Sequence, residues 1–383
     1  MIKRFIQNAG WPRIIIALFL LALFIAAPFE PVSLLEGVRI YNFNINNLYI
    51  SLSNIIVRFG MNGVMVLAMI PMIQAGCGLN FGLPLGIIAG LLGATLSIEW
   101  NAEIMTKLAE FAGQYKVSWL TQEFLNTWRE PIGFASAIII AVPIAVVLGW
   151  LYGKLLNRVK GDEMMIATYV GFSSVSLMCI AWLLLPYKHP TMVWGYSGHG
   201  LRTTISVEGY WLHVLSDSLA LDVNKYLHIP TGMLIFFAVM AVLVWIFMKT
   251  KTGTAITAAG SNPEFARASG VNVDKMRTIS VVLSTVLGAI GIIVYEQSFG
   301  FIQLYMGPFY MALPAVASVL LGGASVNKAS ILNVIVGTFL FQGILTLTPS
   351  VINAHLQTDM SEVIRAIVSN GMILYALTRK VRG

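Results

Sequence analysis

Long apolar runs separated by short polar stretches dominate this chain, and about ten of them approach the roughly 20 residues a helix needs to cross a bilayer. They fall near 14–29, 60–76, 82–98, 132–153, 164–186, 229–248, 279–298, 310–323, 330–348 and 362–378. The pattern predicts an all-α polytopic membrane protein forming a single domain over 1–383, with about ten crossings. The first run follows Lys3, Arg4 and Arg13 as a signal peptide would, but nine further runs favour an uncleaved first span. Pro308 and Pro314 make the eighth run a candidate half-crossing. Two segments are too polar to span. Segment 99–131 carries Glu103, Lys107, Glu110, Lys116, Glu123, Arg129 and Glu130 and reads in part as an amphipathic surface helix. Segment 187–228 carries Trp194, Tyr196, Tyr210 and Trp211 among glycines and reads as a loop hugging the interface.

A weak repeat links the third and eighth runs. Leu83-Pro84-Leu85-Gly86 through Leu92-Gly93-Ala94 resembles Leu313-Pro314-Ala315-Val316 through Gly322-Gly323-Ala324. Five spans per half is an odd number, so halves of about 1–186 and 229–378 are inverted relative to one another. Paired Gly- or Pro-interrupted spans in inverted halves point to a translocation path near the midplane. Two unrelated small-residue contact helices would give the same similarity.

Gly76-Cys77-Gly78-Leu79-Asn80-Phe81-Gly82-Leu83-Pro84 puts three glycines and a proline just before the third span. Such a stretch breaks a helix, either at a plain turn or where backbone and the Asn80 amide face a cavity. Glu296 ends the seventh span, at a pore mouth or at the interface, since a carboxylate beside an apolar run needs water or a partner. Gly78, Asn80, Phe81, Gly82, Pro84, Glu296, Pro314 and Ser318 are the candidate path residues.

One polar stretch, inside the loop 249–278, reads as a built element. In Gly260-Ser261-Asn262-Pro263-Glu264-Phe265-Ala266-Arg267-Ala268-Ser269-Gly270, Asn262 suits an N-cap and Pro263 the first helical position. Glu264 faces the positive dipole end and Gly270 suits a left-handed stop. A helix this short is marginal alone, so it is either a docking element or a well-capped connection.

Composition sharpens the membrane reading. Of the residues 57% are hydrophobic and 11% charged, and the mean hydropathy is +0.79. The net charge of +7 would suggest nucleic acid in a soluble protein, but here it reads as topology. Both ends in the cytoplasm put Lys3, Arg4, Arg13, Lys154, Arg158, Lys160, Lys249, Lys251, Arg267, Lys275, Arg277, Lys328, Arg379, Lys380 and Arg382 inside, leaving nine of 24 Lys and Arg outside. Cys77 and Cys179 read as small core residues, with no disulfide or metal spacing. The five histidines, His189, His199, His213, His228 and His355, map to outside segments, and no phosphate loop, HExxH or CxxC is present. No catalytic residue is assigned.

The stretches Ala258–Glu264, Ala266–Val273 and Ala315–Ser325 resemble the permease subunits of bacterial ATP-binding-cassette importers, the ribose-type sugar and nucleoside group that includes branched-chain amino acid permeases. Gly78–Gly82 looks like that family's Gly-rich entry to a pore-lining span, although Asn80 stands where most members carry Asp, and Gly82 or Leu83 where they carry Ser. The resemblance implies a coupling helix inserted into a cytoplasmic ATPase, through Gly260, Asn262, Pro263, Glu264, Phe265, Arg267 and Gly270. It further implies ATP and Mg on that separate ATPase and none on this chain, a second permease subunit, an extracytoplasmic solute-binding protein, and a multi-pass location in the bacterial inner membrane. A monosaccharide is the first expectation for the solute, then a nucleoside, then a branched-chain amino acid. An ion-coupled secondary transporter is the rival, and would need a buried ion or proton site but no docking helix. A structural or receptor-like membrane subunit is a further alternative, having spans without paired broken helices.

Overall fold

A computed structural model describes residues 11–35, 38–114, 127–193, 201–217, 219–356 and 361–378. Lys3, Arg4, Arg379, Lys380, Arg382, Lys116, Glu123, Trp194 and Tyr196 lie outside the described residues. In chain order the elements begin with α1 (Trp11–Ala26), a hairpin of β1 (Phe29–Leu35) and β2 (Val38–Phe43), and α2 (Ile45–Leu67) continued by α3 (Met69–Gln74). Then come α4 (Leu83–Gln114), α5 (Arg129–Arg158) and α6 (Glu163–Leu184), β3 (Thr204–Ser206), α7 (Val214–Asp217), β4 (Leu221–Asn224) and β5 (Leu227–Ile229). The second half holds α8 (Thr231–Lys249), α9 (Lys251–Ser261), α10 (Pro263–Ala268), α11 (Val273–Phe299), β6 (Phe301–Gln303), α12 (Gly307–Leu321), α13 (Ile331–Leu356) and α14 (Ser361–Thr378).

The protein is an all-α polytopic membrane protein. Among the described residues seven helices are long and apolar enough to cross a bilayer, α2 and α3 counting as one of 30 residues, and α1, α12 and α14 are shorter apolar helices. The second span starts earlier than its apolar run, at Ile45, because Asn46, Asn47, Asn54 and Arg58 dilute its first half. Asn44 caps that start, its side-chain oxygen accepting from Asn46 N at 3.1 Å. The helix α12 has 15 residues, about 22 Å of rise, shorter than the hydrocarbon core. Pro84 sits at the start of α4, where a proline costs nothing, whereas Pro314 lies inside α12, so the two repeat stretches are used differently.

At the centre stands α11, packed most extensively against α5, α4 and α2. Small residues allow the approach. A Cβ at Gly86 would come 2.7 Å from the Thr285 carbonyl oxygen, and one at Gly90 2.5 Å from that of Ala289.

Both polar segments depart from expectation. The helix α4 runs unbroken past its span to Gln114, so residues 99–114 extend a crossing helix and do not form a separate surface helix. Glu99 accepts from Lys188 N at 3.1 Å and His189 N at 3.0 Å, tying that extension to the chain after α6. Segment 187–228 is more than an interface-hugging loop: Met192, Leu201, Ile205 and Trp211 are buried, and β3 pairs antiparallel with β6 directly after α11.

Candidate functional site

One end of the bundle gathers the loop between α5 and α6, the α9–α10 connection, the start of α11, residues 75–82 and residues 322–330. Over 154–163, 249–277 and 323–330 the sequence carries nine Lys or Arg (Lys154, Arg158, Lys160, Lys249, Lys251, Arg267, Lys275, Arg277, Lys328) against four acids (Asp162, Glu163, Glu264, Asp274).

The short helix forms as its residues dictate. Asn262 Oδ1 accepts from Phe265 N at 3.0 Å, Pro263 opens the helix, Glu264 lies in its first turn and Arg267 in its last. It ends in a paired reverse: Val271 N donates to Ala266 O at 2.9 Å and Gly270 N to Arg267 O at 3.0 Å, with Gly270 left-handed at φ 83. Asn272 then caps α11, accepting from Lys275 N at 3.0 Å. Ala266 is buried with Ala259 and Val273, which seats the helix on the body. Phe265 points away, 68% exposed, between the exposed side chains of Glu264 and Arg267. The turn thus presents an exposed phenylalanine flanked by an exposed acid and an exposed base.

This tip is braced against the break before α4. A Cβ at Gly260 would come 2.1 Å from the Gln74 carbonyl oxygen, and one at Gly76 2.9 Å from the Gly260 Cα, so the two chains touch backbone to backbone. Gln74 closes the contact from both sides: its Nε2 donates to Ala329 O at 2.7 Å, and its Oε1 accepts from Thr257 Oγ1 at 3.1 Å. Sequence reasoning missed Gln74 and Thr257, which carry no local signal of being partners.

Beyond the brace, Gly76 and Gly78 take left-handed φ of 71 and 78, and the chain turns sharply instead of continuing as helix. Asn80 does not face an open cavity. It is buried, its Nδ2 donating to Ser284 Oγ at 2.8 Å, while Ser284 Oγ donates to Ala68 O at 2.6 Å. Gly82 leaves room for Tyr152, whose hydroxyl would meet a Cβ there at 2.3 Å. Phe81 and Pro84 line a hollow of about 30 Å³, the size of one water, with Phe309, Ala312 and Leu313 of α12. The start of α4 is thus brought to the stretch that precedes Pro314. Ser318 is buried and bonds back to Pro314 O at 2.7 Å.

Cys77 is not a plain core residue: Arg277 Nε donates to its Sγ at 3.2 Å. Burial pushes the Cys77 thiol up, against the opposing pull of the Arg277 charge. The same guanidinium, through Nη2, pairs with Glu163 Oε1, and Glu163 Oε2 accepts from Gly161 N at 3.0 Å. Arg277 counted in the sequence only as a topological positive charge; its buried pairing with an acid in the first turn of α6 was invisible there.

Glu296 stands apart, 12 residues or about 18 Å along α11 from Ser284. It lies neither at an open mouth nor at the interface. It is 1% exposed, and neither carboxyl oxygen has a hydrogen-bond partner among the described residues.

The family described as "Branched-chain amino acid transport system / permease component" matches residues 51–377. The chain belongs to this family. Among individual relatives of this permease, the autoinducer 2 import system permease protein LsrC of Enterobacter sp. (strain 638) is 30% identical over 208 residues, 54% of each chain. The nucleoside ABC transporter permease protein NupC of Lactococcus lactis subsp. cremoris (strain MG1363) is 35% identical over 92 residues, 24% of this chain and 29% of that one. The xylose transport system permease protein XylH of Haemophilus influenzae is 29% identical over 157 residues, 40% of each. The permease thus spans about half the length, or less, of these three relatives. No solved structure gives a significant match.

Proposed function

We propose that this chain is the transmembrane permease subunit of an ATP-driven importer for a small uncharged solute, a monosaccharide first and a nucleoside next. The observation that carries the reading is the braced tip: an exposed Phe265 on a doubly capped turn, joined through Gly260 and Gln74 to the break at Gly76–Gly82. A soluble ATPase that buries Phe265 and pairs with Glu264 and Arg267 gains the roughly 2 kcal/mol or more of a binding hot spot. Gly260, Asn262, Pro263 and Gly270 hold that surface in shape. Movement of the tip then bears directly on Gly76, and biases the packing of Gly78, Asn80, Phe81, Gly82 and Pro84 against α11 and α12.

The excess of basic residues at the braced end supports placing that end, and both termini, in the cytoplasm of a bacterial cell. ATP and Mg belong to the partner ATPase, a second permease subunit completes the path with Pro314 and Ser318 in its wall, and an extracytoplasmic binding protein delivers solute to the opposite end. The relatives named for xylose and nucleoside transport favour a sugar or nucleoside over a branched-chain amino acid. A tip built for docking has no role in an ion-coupled secondary transporter, although Glu296, buried with no hydrogen-bond partner among the described residues, is a feature such a carrier would use.

Affinity purification from mild detergent tests this, comparing the unaltered chain with Phe265→Ala and with Glu264→Ala plus Arg267→Ala. An ATPase that accompanies the unaltered chain and is lost from the variants is the expected result. Retention in every variant moves the docking surface elsewhere. Absence of any ATPase, even after crosslinking in intact membranes, rejects the importer.

A further inference from the structure

Two hollows lie along one seam on the outside of the bundle, between α8 and α13. The first, of about 690 Å³, sits at the braced end and has a mixed lining: apolar Met248 and Leu332 together with polar Lys249, Thr254, Thr257 and Ser261. The second, of about 390 Å³, is wholly apolar and includes Phe59, Leu234, Ile335 and Phe339. Leu332, Ile335 and Val336, and Phe339 and Leu340 recur at three- and four-residue spacing, so one stripe of α13 joins the two hollows over about 12 Å. Among the described residues that line the foot of this slot, Lys249 is the one that is charged, and none is an acid. One residue, the N-cap Thr250, separates it from α9, an 11-residue helix that begins at Lys251 and whose positive dipole end therefore lies close to Lys249 in the chain. Trp245, 55% exposed with Lys249 Nζ 6.0 Å from its ring, has the pairing found at headgroup level. The hydroxyls of Thr254, Thr257 and Ser261 already donate to carbonyl or amide oxygens, so the cations supply the attraction for an anion.

We propose that this slot binds an anionic phospholipid, its phosphate at Lys249 and one acyl chain along the α13 stripe. Thr257 lines the slot and also bonds to Gln74, so a seated lipid abuts the brace and holds α9 against the break. The inference rests on the proposed membrane placement of the braced end, but lipid binding is read without an ATPase, so the two fail separately.

Native mass spectrometry of the intact, delipidated permease, titrated with phosphatidylglycerol or with phosphatidylcholine of the same acyl chains, tests it. Phosphatidylglycerol should be retained about tenfold more tightly. Lys249→Gln should remove that preference, and Lys154→Gln, which alters the similar Lys154–Trp150 pair on α5, should keep it. Equal retention of both lipids by the unaltered chain overturns the proposal, as does a preference unchanged in Lys249→Gln. Efficient disulfide crosslinking between two copies carrying Leu332→Cys, which would mean that protein covers the slot, overturns it too.

Discussion

The capped turn at 262–270 and the break at 76–84 both rely on Gly, Pro and Asn, yet they satisfy their polar groups in opposite ways. Asn262 spends its side chain on a backbone amide three residues away, and Gly270 closes the same turn. Asn80 spends its side chain on Ser284, 204 positions along the chain, and Cys77 takes a bond from Arg277, 200 positions along. Local closure leaves the tip's other side chains free for a partner. Remote closure makes the break an intersection, where any movement of α9, α11 or α5 is felt.

The largest expected effect falls where the two regions meet. Gly260→Ala forces a Cβ against backbone atoms of Gln74 and Ala75, which have no flexible end to yield. The expected loss is at or above the roughly 3 kcal/mol top of the overpacking range. It is read as the loss of monodisperse protein on size-exclusion chromatography after mild heating. Normal behaviour of this variant would break the link between tip and break.

Next comes the break itself. Arg277→Gln takes the cation from Glu163, leaving it backbone amides such as that of Gly161, at about 2–3 kcal/mol, below the 3–5 kcal/mol of a fully enclosed pair because the Glu163 side chain keeps 16% of its surface. Adding Glu163→Gln should recover much of that loss in thermal unfolding, a recovery that a merely local role for Arg277 would not give.

The smallest effect belongs to the tip. Asn262→Ala removes one cap and should cost about 1 kcal/mol, with Asn262→Asp or Asn262→Ser restoring most of it. The readout that matters is the affinity for the proposed partner ATPase, which should fall with Asn262→Ala and return with Asn262→Asp or Asn262→Ser.

The same contrast explains what was legible in the sequence. The capped helix could be written out residue by residue, because its donors and acceptors are neighbours. Crossing helices followed from apolar runs, except where Asn46, Asn47 and Arg58 diluted the start of α2. The Gly76–Gly82 break was visible as a break, but its partners were not, since nothing near Asn80 names Ser284 and nothing near Gly76 names Gly260. Glu296 misled for a related reason: beside an apolar run a carboxylate suggests water, whereas tertiary packing encloses it with no hydrogen-bond partner among the described residues. The hairpin of β1 and β2 and the β3–β6 pairing went unforeseen, as short strands leave little periodicity.

The central claim is that motion at the tip reaches the break. Hydrogen–deuterium exchange on the permease assembled with the proposed ATPase in lipid nanodiscs, with and without ATP under non-hydrolysing conditions, tests it most directly. Exchange should change together at 262–272 and at 76–82, and the change at 76–82 should shrink in Gln74→Leu while that at 262–272 persists. A change confined to 262–272 in the unaltered protein would contradict the account.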